Sequence, residues 1–168
     1  MCKKEVISIF VDNQSNVLTR IASLYGRRGF NIDSLTVSAT DDPSVSRITI
    51  VCDVDDHSLQ QILTQTAKLE VVKDIFILDK EKSLYRELLL LKVEADKAIR
   101  SEILEIVNIY RAKVIDLCAN SLIIELTGAP EKLDGFMEIL SSYNILEVCR
   151  TGSTGISRGY AIKEIEKY

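Results

Sequence analysis

Apolar positions along this chain change period in a fixed order. Val6, Ile7, Ile9, Phe10 and Val11 surround Ser8 in a short run with the alternation of a half-buried strand. Val17, Leu18, Ile21, Leu24 and Tyr25 then fall at helical spacing. That pattern stops at Arg27, Arg28 and Gly29, where glycine accepts the left-handed conformation past a helix end and the arginines suit the negative end of the dipole. Residues 32–39 and 45–51 read as two strands about a turn at Asp41, Asp42 and Pro43. Leu59, Ile62, Leu63, Thr66 and Leu69 mark a second helix, and Val71, Val72, Ile75 and Ile77 a fourth strand. The order is βαββαβ.

A charged stretch follows, Asp79, Lys80, Glu81, Lys82 and Ser83, and after it the same grammar returns. Residues 88–93 predict a strand; Ile99, Ile103, Ile106, Val107 and Tyr110 a helix face; residues 114–117 and 122–126 a hairpin around Ala119 and Asn120. Pro130 opens a helix whose face is Leu133, Phe136, Met137 and Leu140, and residues 145–148 close the unit. A period of about 80 residues is too long for a solenoid. The pattern predicts an α+β protein of two ferredoxin-like βαββαβ domains, each an antiparallel four-stranded sheet with two helices on one face. The expected boundaries are 1–79, a linker at 80–85, and 86–168 for the second domain with its tail. Domains this small gain from further burial, so a homodimer or larger assembly is expected.

Composition narrows the function. The chain has 168 residues, 46% hydrophobic and 27% charged, with a net charge of −4. An acidic chain makes a poor nucleic-acid binder. Its hydrophobic runs fall short of the roughly 20 residues that span a bilayer, and the first residues lack the pattern of a signal peptide, which points to the cytoplasm. Cys2, Cys52, Cys118 and Cys149 are scattered, with no CxxC pair and one histidine, His57. A metal site would need ligands from four distant places, so the cysteines read as reduced and mostly packed as small hydrophobes. Asp53, Asp55 and Asp56 cap the start of a helix or hold a cation weakly, without the glycine and glutamate of an EF-hand loop. Arg28, Gly29 and Phe30 open like an RNA-binding RNP1 motif, yet Ile32 and Leu35 stand where its rings should be. Gly152, Ser153, Thr154 and Gly155 lack a Walker lysine and read as a flexible connection. No nucleophile has a sequence-near base.

The densest polar cluster is Asp12, Asn13, Gln14, Ser15 and Asn16, where a strand runs into a helix. Unpaired N–H groups of a first helical turn carry partial positive charge and accept a carboxylate. Two readings stay open here: Ser15 or Asn16 caps the helix, or the loop binds a small anion together with Asn31.

Residues 6–35 resemble the amino-terminal ACT domain of the acetolactate synthase (acetohydroxyacid synthase) small-subunit family. The likeness is carried by Asp12, Asn13, then Leu18, Thr19, Arg20, then the run from Arg28 and Gly29 through Phe30, Asn31, Ile32, Asp33, Ser34, Leu35, Thr36 and Val37. It continues through Arg86, Glu87, Leu88, through Tyr110 and Arg111 to Asp116, and through Arg150, Thr151, Gly152 and Ser157, Arg158, Gly159. The resemblance implies a non-catalytic regulatory subunit in branched-chain amino-acid biosynthesis. It would activate a catalytic large subunit and confer feedback inhibition, usually by valine. Thiamine diphosphate, magnesium and FAD would belong to that large subunit, with no cofactor on this chain. ACT domains of two chains meet edge to edge, with effector sites at their interface. The implied effector residues are Asn13, Gln14, Ser15, Asn16, Val17, Leu18, Asn31, Ile32 and Leu35. The family usually has glycine where this chain has Asn16. A free-standing ACT-domain sensor acting on another enzyme is the alternative. An acylphosphatase-like hydrolase would need an arginine in the 12–16 loop, which has none.

Overall fold

The structure, a computed structural model, describes residues 3–159. The described residues form two compact units: 3–84 together with 153–159, and Tyr85–Gly152. Among the described residues no helix is long and apolar enough to cross a membrane.

The first unit contains β1 (Lys3–Asp12), α1 (Val17–Arg27), β2 (Ser34–Ala39), β3 (Val45–Val54), α2 (Asp56–Ala67) and β4 (Val72–Ile77). Its antiparallel sheet has the order β2-β3-β1-β4, with β1 paired to β3 from Lys3 opposite Val54 to Asp12 opposite Val45. Ile7, Ile9, Ile48, Ile50 and Cys52 pack beneath Ile21 and Tyr25 of α1 and Ile62 and Leu63 of α2. Three hydrophobic side chains per two helical turns suffice for that seam. The end of α1 is a Schellman motif: Phe30 N–H donates to the Tyr25 carbonyl and Gly29 N–H to that of Gly26, with Gly29 at φ +73°. The Phe30 ring meets Tyr25 edge-on at 6.4 Å, the hydrophobic contact such a motif favours. Phe30 is therefore core packing and offers no platform for a base.

Several expectations change. The edge strand β2 begins at Ser34, two residues later than its apolar pattern suggested. Asn31 spends its side-chain amide on Asp33 (3.0 Å), a local bond that competes with the ladder. β1 is also buried on both faces, with Ser8 fully buried. A further strand, β9 (Thr154–Ser157), forms in the stretch read as a flexible connection. Ser153 N–H donates to Ser34 Oγ (3.0 Å), and Arg47 Nη2 donates to the Gly155 carbonyl (2.6 Å). The described tail thus belongs to the first unit, whereas the sequence pattern attached it to the second.

The second unit contains β5 (Ser83–Glu94, starting inside the expected linker), α3 (Arg100–Tyr110), β6 (Lys113–Leu117), β7 (Ser121–Gly128), α4 (Pro130–Leu140) and β8 (Ile145–Arg150). The order β6-β7-β5-β8 repeats the first sheet's. Leu89, Leu91, Val93, Leu122, Ile124 and Leu126 pack against Ile103, Leu133, Phe136 and Leu140. Arg150 holds β8 to its neighbours, with Nε 2.6 Å from Glu87 and Nη1 2.6 Å from Asp134.

Candidate effector site

The loop after β1 is set by backbone bonds. Asp12 N–H donates to Val71 (2.9 Å) and Asn13 N–H to Ser44 (2.7 Å). Asn13 Nδ2 donates to the Pro43 carbonyl at 2.9 Å, which fixes this side chain to the 40–45 turn. Asp42 braces that turn by accepting from Ser44 N–H and Oγ, bonds that hold its carboxyl below the usual range. Asp12 pairs with Lys73 at 2.8 Å, and this bond raises the lysine's pKa.

Gln14, Ser15 and Asn16 are exposed. Asn16 occupies the cap position of α1 in the left-handed region, φ 68° and ψ −1°, and makes no side-chain cap bond. Capping therefore does not explain the cluster: this helix start is uncapped by side chains, unlike α2, where Asp55 accepts from Ser58 N–H at 2.8 Å. Val17 turns into the core, while Leu18 stays 41% exposed. On β2, Leu35 lies opposite Ile50 and Val37 opposite Ile48, so both share the helix-bearing face. At the sheet edge they remain 37% and 47% exposed. Ile32 packs partly against the core.

The register shows what one chain does not bring together. Asp12 stands opposite Val45, and Ser46 opposite Ala39, so the 13–16 loop is at the Ala39 end of the sheet. Ser34 stands opposite Val51, so Asn31 and Ile32 are at the other end. A six-residue strand at about 3.4 Å per residue separates the two groups by roughly 20 Å.

Other candidates resolve into structure. Asp55 caps α2, which lowers its pKa through the Ser58 N–H bond, and Asp56 pairs with Lys3 at 3.3 Å. His57 faces Gln61 at 3.0 Å on the exposed side of the same helix. Among the described residues no three His, Cys, Asp or Glu side chains gather as metal ligands. Cys52 is fully buried, which pushes its thiol up to about 11, but Cys118 and Cys149 are exposed, contrary to the expectation of mostly packed cysteines. Both lie near or in edge strands, where small residues are not drawn inward. Cys2 lies outside the described residues. Sequence reasoning missed Ser34, Thr36 and Arg47, which hold β9. Ser34 and Thr36 stand in the run that carries the family resemblance and alternate with Leu35 and Val37, but neither pattern names their partner.

Two βαββαβ units, each with an antiparallel sheet of the same strand order, define a tandem ACT-type protein. A family model described as the AHAS small subunit-like ACT domain matches residues 7–74, and one described as the small subunit of acetolactate synthase matches residues 86–159. The acetolactate synthase small subunit of Mycolicibacterium smegmatis is 46% identical over 153 residues, covering 91% of this chain and 90% of that protein. The probable acetolactate synthase small subunit of Archaeoglobus fulgidus is 43% identical over 157 residues, covering 93% and 98%. The crystal structure of the acetolactate synthase small subunit from Thermotoga maritima superposes with a TM-score of 0.88 at 36% identity, covering 94% and 98%. The chain belongs to the acetolactate synthase small-subunit family.

Proposed function

We propose that this chain is a non-catalytic regulatory subunit that binds and activates the acetolactate synthase large subunit and makes it responsive to a branched-chain amino acid, valine foremost. Thiamine diphosphate, magnesium and FAD belong to the large subunit in this reading, and the complex is cytoplasmic.

The observation that carries the effector assignment is the separation of its two halves. An antiparallel pairing of β2 with β2 of a second copy has its two-fold axis beside one central residue of Ser34–Ala39, which faces its own copy because opposed residues share a face of the sheet. It sets the Ser34 end of one copy beside the Ala39 end of the other. Asn31, Ile32 and Leu35 of one chain then approach Asn13, Gln14, Ser15, Asn16, Val17 and Leu18 of its partner. The first-turn N–H groups of α1, without a side-chain cap, suit the amino acid's carboxylate. Asn31 supplies an acceptor for its ammonium group, and Leu18 and Leu35 supply apolar surface for the side chain. The same pairing buries the exposed Leu35 and Val37 and removes an open sheet edge.

The test is reconstitution. The large subunit condenses pyruvate faster with this chain present, the two co-purify, and valine lowers the rate. No association and no change in rate would refute the reading. Valine binding without either effect would make the chain a free-standing sensor.

A further inference from the structure

We propose that Asp33 and the Pro43 carbonyl are positioning groups: they turn the amide oxygens of Asn31 and Asn13 outward, so that the effector site selects an ammonium group and rejects the 2-oxo acid of the same carbon skeleton. The inference rests on the effector reading above and names what sets that site's specificity.

Asn13 is held twice by the 40–45 turn. Its backbone N–H donates to the Ser44 carbonyl at 2.7 Å and its Nδ2 to the Pro43 carbonyl at 2.9 Å. The turn is itself braced: Asp42 Oδ1 accepts from Ser44 N–H at 2.8 Å, and Val45 N–H donates to the Asp42 carbonyl at 2.9 Å. A carbonyl only accepts, so the Asn13 amide must meet it with the NH2. Turned over, the amide would set oxygen against oxygen. At the other end of β2 the same arrangement recurs. Asn31 Nδ2 donates to Asp33 Oδ1 at 3.0 Å. The second Asp33 oxygen pairs with Lys4 at 3.7 Å, and the Asp33 N–H is fixed to the Val51 carbonyl at 2.8 Å. A carboxylate likewise only accepts. Each asparagine therefore commits its donor side within its own chain, and neither Oδ1 takes a bond from another described residue.

The β2–β2 pairing brings these two oxygens to one site, Asn31 from one chain and Asn13 from the other. Two amide oxygens make a receptor for an N–H donor. The ammonium of an amino acid carries three N–H bonds and a positive charge, and it fills both acceptors. A 2-oxo acid places a carbonyl oxygen at the same position. It donates nothing and meets two oxygens with a third. Its carboxylate and branched side chain are those of the amino acid, so the α-substituent alone tells the two apart. A 2-hydroxy acid has one O–H and satisfies one acceptor. An asparagine not held in this way can turn its NH2 toward a ketone oxygen, and the distinction is lost. Asp33 acts through Asn31 and the turn acts through Asn13, and neither needs to touch the effector. Rejection matters to such a regulator, because pyruvate, the molecule condensed in the reaction it governs, is itself a 2-oxo acid.

Calorimetry on the full chain, without the large subunit, tests this with L-valine, its 2-hydroxy analogue and its 2-oxo analogue. Each charge-assisted hydrogen bond that is lost weakens binding about tenfold or more. The 2-oxo acid should therefore bind at least about tenfold more weakly than valine, with the 2-hydroxy acid between them. A smaller gap, or a 2-hydroxy acid as tight as valine, overturns the proposal and leaves the effector reading standing. A chain that binds none of the three refutes the effector reading itself, and this inference with it. Asp33→Ala then separates positioning from structure. It removes the lock on Asn31, so valine should weaken while the 2-oxo acid does not, and their ratio should narrow by about threefold or more. Asp33→Asn, whose side-chain oxygen still accepts from Asn31 Nδ2, should restore most of that ratio. A ratio that Asp33→Ala leaves within about threefold of the parent's, with all three ligands weakened alike, makes Asp33 structural only and overturns its role. Should that variant fail to fold, the ligand series on the parent chain decides.

Discussion

Val37→Glu separates the edge-to-edge assembly from the fold of the single chain. Val37 is 47% exposed, in the central part of an edge strand, and its cross-strand partner is Ile48. Within one unit a glutamate there can swing into water, so folding loses about 1 kcal/mol. In the paired edge the outcome differs. Burying the exposed half of a valine is worth about 1 kcal/mol, and a two-fold interface contains it twice. Two carboxylates near the axis add desolvation and mutual repulsion of about 1–3 kcal/mol. The total of roughly 4 kcal/mol weakens dimerisation about a thousandfold. Sedimentation velocity from nanomolar to micromolar concentration should show the parent as a dimer or larger and the variant shifted toward monomer. Circular dichroism should be unchanged. Valine binding should fall with the dimer, because each site draws on two chains. A Val37→Glu chain that is still dimeric at low micromolar concentration and still binds valine would refute the β2–β2 assembly and the site built on it.

Asn16→Gly removes a left-handed Cβ that no cap bond offsets, so it should leave thermal stability within about 1 kcal/mol of the parent and tighten valine binding roughly tenfold or more; no gain for any branched-chain amino acid would show that Asn16 does not limit the site. Arg111 ends α3 at φ 54°, and Arg111→Gly should raise the unfolding midpoint of the chain, with a gain of up to about 1 kcal/mol in denaturant titration. Arg150→Met removes the guanidinium beside Glu87, which is 9% exposed, and should destabilise the chain by about 2–3 kcal/mol; a loss below about 0.5 kcal/mol would mean that this ion pair contributes little. In a Cys2→Ser background at pH 8, a disulfide reagent should label Cys118 and Cys149 quickly and Cys52 only on unfolding, since burial holds its thiol at about 11; fast labelling of all three would contradict the packing of β3.

What the sequence determined by itself is local or periodic. The alternation in β1 and β3, the helical faces of α1 through α4 and the repeat of βαββαβ are written in the spacing of apolar residues, because spacing alone decides which side chains share a face. The stop at Gly29 was equally legible, since a Schellman end needs only a few consecutive residues and a glycine. The cluster at 13–16 was visible as a cluster, but its meaning was not. Whether Asn16 caps α1 depends on one dihedral, and whether Asn13 and Asn31 meet depends on strand register, which puts them at opposite ends of the sheet. The contacts of residues 153–155 were hidden for a different reason. Ser34 and Thr36 alternate with apolar residues as any solvent-facing strand positions do, and hydroxyls bonded to water look the same in sequence as hydroxyls bonded to Ser153. Hydrophobic burial is non-directional and leaves a periodic trace. A hydrogen bond between residues more than a hundred positions apart leaves none until the backbone brings them within 3 Å.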